Sequence, residues 1–153
     1  MLLTEILQPD CIKVPLKAAD KQAAIYELVD LLCQRCDIHA IDELKRAVWD
    51  RETTRTTGIG HGIAIPHGKG AGCPRLCMAI GRPAQPIDFG AIDNRPVELI
   101  ILLASAPDQT GPHIQALARI SQMLTQADIL AGMMSATTAE QIHRLIEEHQ
   151  PAS

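Results

Sequence analysis

The sequence predicts an α/β sandwich on a largely parallel or mixed sheet, because strand-like and helix-like segments alternate along it. Two stretches carry most of that prediction. Val97 to Leu103 is almost continuously apolar, as a central strand covered on both faces must be. Ala24, Ile25, Leu28, Val29 and Leu32 recur at helical spacing behind Asp20, a residue suited to capping a helix start. At 153 residues, 46% of them apolar, the chain is long enough to bury roughly two-thirds of the surface its unfolded form exposes. One domain over residues 1–153 is expected.

Taken in order, Cys11 to Leu16 alternates like a strand, and Pro15 assigns it to a sheet edge. The helix capped by Asp20 runs to about Cys36. A second helix starts near Asp42 and carries Leu44, Ala47, Val48 and Arg51 along one face, so Arg51 lies near its end. The polar, β-branched run Thr53 to Thr57 breaks the helical period. Gly58, Gly60 and Gly62 then lead into a short strand, Ile63 to Ile65, which ends in Pro66-His67-Gly68. A rigid proline at a strand end presents the next side chain, His67, at a sheet edge, and the surrounding glycines allow backbone amides to approach an anion. Gly70 to Pro74 reads as a turn, Leu76 to Ile80 as a strand, Ile87 to Phe89 as a brief strand and Asp93 to Pro96 as a turn.

Beyond the central strand, Pro112 suits the first position of a helix capped by Thr110 or Gly111, with Ile114, Leu117, Ala118, Ser121 and Leu124 on one face. His113 then falls in the first turn, where free amides and the helix dipole favour an anion. A short helix over 128–134 follows. Thr138 with Gln141 fits a capping box for a last helix ending near Glu148.

Composition narrows the function. A net charge of −4 without any Lys/Arg cluster argues against nucleic acid, and one Trp, one Tyr and one Phe leave little to stack on a base or sugar. The start, from Met1, has no basic leader, and the longest apolar run, Leu99 to Ala104, is too short to cross a bilayer. A soluble cytoplasmic protein with reduced thiols is expected, since five cysteines do not make a disulfide framework. Cys33-x-x-Cys36 with Cys73 and Cys77 is a conceivable zinc set, but the pairs lie on a helix end and beside a strand. Small buried thiols are the better reading. Phosphate-loop patterns fail on spacing: five residues separate Gly62 from Gly68-Lys69, and Ile63 stands where a dinucleotide fingerprint needs glycine.

His67, His113 and Arg51 together offer a nucleophilic imidazole, a second imidazole and a fixed guanidinium, the ingredients for moving a phosphoryl group. The segment from Arg51-Glu52 through Ile59-Gly60, Ile63-Ala64-Ile65-Pro66-His67-Gly68 and Lys69 resembles the signature of the mannitol/fructose-type enzyme IIA domains of the bacterial phosphoenolpyruvate phosphotransferase system. Ala91-Ile92-Asp93-Asn94-Arg95-Pro96-Val97 and Pro107-Asp108-Gln109-Thr110 bring it nearest the nitrogen-regulatory enzyme IIA. The likeness runs from Leu3 to about Ile146. It implies a mixed, mostly parallel sheet of about five strands flanked by helices on both faces. It also implies His67 as the phosphorylated residue, His113 as the second active-site histidine and Arg51 as the active-site arginine. Where nitrogen-regulatory members typically carry asparagine, this chain has His61, expected to face solvent.

By this resemblance His67 accepts a phosphoryl group through Nε2 from an HPr-type phosphocarrier, with no metal or organic cofactor. The acidic balance would steer a basic carrier toward the surface. Ile59 and Ile63 are candidates for a contact patch, with at least one expected in the core. The phosphoryl group either passes to a IIB domain for sugar uptake or marks a regulatory state read by target proteins. Neither a IIB domain nor a membrane segment is expected in the chain, and regulation is favoured.

Overall fold

The computed structural model describes residues 2–151, so the expected domain limits at Met1 and Ser153 lie outside them. Strands are β1 (Ile12–Leu16), β2 (Gly58–Gly60), β3 (Ile63–Ala64), β4 (His67–Lys69), β5 (Cys77–Pro83) and β6 (Leu99–Ser105). Helices are α1 (Lys21–Arg35), α2 (Ile41–Thr54), α3 (Thr110–Leu124), α4 (Ala127–Ser135) and α5 (Ala139–His149). The sheet order is β1-β5-β6-β3-β2, with β4 also paired to β6. β1/β5, β3/β6 and β4/β6 are parallel, while β5/β6 and β2/β3 are antiparallel. β3 and β4 follow one another along the same side of β6, from Ile63 opposite Leu99 to Lys69 opposite Ser105. They form one strand interrupted at Ile65-Pro66, which makes the six-stranded sheet equivalent to the five-stranded one expected.

β6 is buried at all seven residues, and β1 lies at the edge that Pro15 requires. On one face Met78, Ile80, Leu99 and Ile101 meet Ile120, Met123, Met133 and Ile146 from α3, α4 and α5. α1 and α2 pack against β5 and β4 from the other. Asp20 caps α1 by accepting from the Ala23 amide at 2.8 Å, and Thr138 and Gln141 form the capping box of α5.

Several expectations need correction. β2 and β4 are strands where a glycine loop and a strand end are expected. α3 begins at Thr110 with Gln109 as N-cap, placing Pro112 within the first turn rather than at its first position; a missing amide is harmless there. The His113 amide is not free but donates to the Gln109 carbonyl at 3.1 Å. The face of α3 turned to the core is His113, Ala116, Ile120, Met123 and Leu124, which shares only Leu124 with the predicted stripe. Ile114 from that stripe is 61% exposed. α3 carries two apolar stripes, and periodicity alone does not say which one meets the sheet. The expected strand at Ile87–Phe89 is a single bridge, Ile87 to Val97.

The glycines of the central segment also serve differently from expectation. Gly60 and Gly62 have φ of +95° and +80° and build the β2–β3 turn, with His61 between them at +58°. A Cβ on Gly68 would stand 2.8 Å from Val48 Cγ2 and 3.0 Å from the Val48 amide nitrogen, so Gly68 lets α2 sit directly on β4. Alternation along β4 then turns His67 and Lys69 to the opposite face, toward α3.

Candidate functional site

His67, Gly68 and Lys69 of β4, Ala47 and Arg51 of α2, and Thr110, His113, Ile114 and Leu117 of α3 line one cleft of about 500 Å³. All three predicted residues border it. The rings of His67 and His113 face each other edge to face, with centroids 5.2 Å apart and planes at 68°. Arg51, in the last turn of α2, donates from a guanidinium nitrogen to the Arg55 carbonyl at 3.2 Å, which anchors that side chain along the cleft wall.

The two imidazoles are held by different kinds of partner. His67 Nδ1 lies 2.9 Å from the Ile65 carbonyl oxygen. A carbonyl only accepts, so Nδ1 carries the hydrogen and Nε2 keeps its lone pair. That carbonyl precedes Pro66, so the strand interruption is what orients the ring. His113 Nδ1 lies 3.0 Å from the hydroxyl of Ser105, a fully buried residue of β6. With Ser105 donating, His113 bears its hydrogen on Nε2, an atom that is buried and has no partner among the described residues. An orphaned buried donor beside a nucleophilic nitrogen is a place where an acceptor oxygen would be stabilised.

Burial, reinforced by the nearby His67 and Lys69, lowers the His113 pKa to about 4. His113 is therefore neutral near pH 7, and the unfolded chain takes up the proton first on acidification. Stability that is complete above pH 6.5 is lost as pH falls toward 4, by up to about 3 kcal/mol. Urea unfolding at pH 7, 5.5 and 4.5 is expected to show this loss in the wild-type protein and a smaller one in His113→Asn.

The cleft is lined by two cations and two histidines and by no carboxylate, in a chain of net charge −4. Its local sign opposes the overall balance, so the expected acidic attraction does not describe the mouth of the cleft. Ile114 lines the cleft and is 61% exposed, and Ile59 and Ile92, 44% and 75% exposed, line an adjoining hollow that shares Arg51 and His67, whereas Ile63 is core. His61 is exposed and lines a separate groove with Ile59, Leu124 and Leu130; its amide donates to Asp93 at 2.9 Å. All five cysteines are buried and unbridged, burial raising the Cys33 thiol to about 11, and no group of metal-binding side chains occurs among the described residues. Among the described residues no helix is long and apolar enough to cross a membrane.

Residues 5–149 match the family model described as "Phosphoenolpyruvate-dependent sugar phosphotransferase system, EIIA 2". The chain belongs to this family. Within it, the chain is 32% identical over 150 residues to the nitrogen regulatory protein of Bradyrhizobium diazoefficiens, covering 95% of each chain. It is 31% identical to the fructose-specific EIIABC component of Bacillus subtilis, of which it spans only 24%. Among solved structures, the nitrogen regulatory protein IIA-Ntr of Neisseria meningitidis superposes with a TM-score of 0.86 at 28% identity, covering 94% of this chain and 98% of that one. The mannitol IIA of Escherichia coli shares the fold, with a TM-score of 0.75 at 20% identity over 91% of this chain and 97% of that one.

Two residues went unrecognised in the sequence. Lys69 enters the sequence reading as a failed Walker-type lysine and as the end of a motif, and Glu52 only as part of that motif. Glu52 is 2% exposed; one carboxylate oxygen accepts from the Thr57 amide at 2.8 Å and Lys21 Nζ at 2.9 Å, and the other accepts from the Thr57 hydroxyl. A buried glutamate in a helix otherwise polar on its outer side has no sequence signal of its own.

Proposed function

We propose that residues 1–153 act as one IIA domain, a cytoplasmic phosphocarrier that takes a phosphoryl group on His67 Nε2 from the phosphohistidine of an HPr-type carrier. The observation that carries this reading is the pair of facing imidazoles, with His67 Nδ1 held by the Ile65 carbonyl, in a cleft lined by cations. The His67 lone pair attacks phosphorus; the donor's P–N bond breaks, and its electron pair returns to the donor imidazole. His67 keeps its hydrogen on Nδ1, and the bond to the Ile65 carbonyl strengthens as the ring gains positive charge. His113 donates from Nε2 to a phosphoryl oxygen, and Arg51 compensates charge on the equatorial oxygens. The step is histidine-to-histidine transfer and uses no metal or organic cofactor.

Regulatory output, with phosphorylation altering affinity for target proteins, is supported by the names of the nitrogen-regulatory relatives and by near-complete coverage of both chains. Relay to a IIB domain is the second reading, favoured by the sugar-specific EIIABC relative. The test is incubation with phosphoenolpyruvate, enzyme I and the HPr-type carrier, followed by intact mass. A gain of one phosphoryl group is expected; an unchanged mass while the carrier is phosphorylated contradicts the proposal. Mixing the phosphorylated protein with IIB domains separates the two outputs, rapid onward transfer favouring relay.

The exposed isoleucines at the cleft mouth provide the apolar centre that a docking carrier needs. Ile114→Glu is expected to raise the KM for the phosphorylated carrier about tenfold, with a much smaller effect on kcat and no loss of thermal stability. Steady-state transfer kinetics check this.

A further inference from the structure

Lys69 stands two residues after His67 on the same face of β4, and both side chains border the cleft. Its ammonium donates to the Thr110 hydroxyl at 2.6 Å, at the first residue of α3 and one turn before His113. Opposite Lys69 in the β4–β6 register is Ser105, the residue that orients His113. No carboxylate lies within ion-pair distance of Lys69 among the described residues, so its charge is held against a neutral hydroxyl beside the nucleophile. A phosphoryl group brings about −1.5 to −2 charges at pH 7. Arg51, already bonded to the Arg55 carbonyl, supplies one positive charge against the phosphoryl oxygens, and Lys69 stands on the same cleft wall as a second cation.

We propose that Lys69 is a catalytic cation of the phosphorylated state: its ammonium exchanges the Thr110 hydroxyl for a phosphoryl oxygen on His67. This rests on the phosphocarrier reading. The exchange replaces a neutral hydrogen bond with a charge-assisted one. It also frees Thr110 at the start of α3, so the tip of that helix differs between the two states.

The experiment compares wild type, Lys69→Met and Lys69→Arg in rapid-quench transfer from the phosphorylated carrier. Lys69→Met is expected to lower the rate constant at saturation on the order of tenfold to a hundredfold with KM little changed, and Lys69→Arg to recover most of it. A wild-type rate in Lys69→Met, or equal impairment of both variants, overturns the proposal. If the carrier leaves the wild-type protein unmodified, the phosphocarrier reading fails on its own. The role of Lys69 is then read on protein phosphorylated at His67 with phosphoramidate, by ³¹P titration. A phosphoryl pKa lower in wild type than in Lys69→Met supports the contact, and identical titrations exclude it.

Discussion

Replacing His67 with alanine is expected to abolish phosphoryl uptake, a loss of at least about 10⁴-fold, while leaving the fold intact. The neighbouring imidazole does not substitute. His113 Nδ1 is engaged with Ser105 in the sheet interior, and, with Ser105 donating, its buried Nε2 carries the hydrogen, so neither nitrogen offers a lone pair to the cleft. Truncating His113 is a milder change. It removes one donor to the phosphoryl oxygens and is expected to slow transfer by about 10² to 10³. Intact mass after exposure to the phosphorylated carrier checks both variants, with a thermal melt confirming that each remains folded. Full labelling of His67→Ala would move the site elsewhere.

Glu52→Ala is expected to destabilise the protein by about 3 kcal/mol, lowering the melting temperature on the order of 10 °C. Removing the carboxylate leaves the Thr57 amide and hydroxyl unpaired in the interior and Lys21 without its counter-charge; Lys21 retains the Phe89 carbonyl at 3.0 Å. The effect reaches the site through the chain. Glu52 adjoins Arg51 in the last turn of α2 and ties that turn to Thr57, the residue before β2. A looser end to α2 displaces the guanidinium from the cleft wall, so transfer slows as well. Calorimetry on purified Glu52→Ala checks the stability, and a melting temperature within about 2 °C of wild type would contradict the buried-charge role.

What the sequence made legible follows from where single patterns decide the structure. The burial of α1, the Asp20 cap, the α5 capping box and the buried strand β6 each rest on local periodicity or a specific side-chain hydrogen bond, and each is found. β2 and β4 were hidden because Gly58-Ile59-Gly60 and His67-Gly68-Lys69 lack apolar alternation; their pairing is dictated by β3 and β6. The face of α3 was misread because its second stripe borders the cleft instead of the core. That stripe bears on function: Ile114, 61% exposed, lines the cleft. His67 and Arg51 were legible from a long ordered motif. The partners that orient the two rings were not, since Ile65 and Ser105 meet them only in space.

The central claim concerns one atom, His67 Nε2. The measurement that tests it most directly is a long-range ¹H–¹⁵N correlation spectrum of the histidine-labelled protein before and after phosphorylation by the carrier. The account predicts a phosphorus-coupled Nε2 on His67, with hydrogen retained on Nδ1 and His113 still neutral at pH 7. Phosphorus on His67 Nδ1, or on any other histidine, would contradict it.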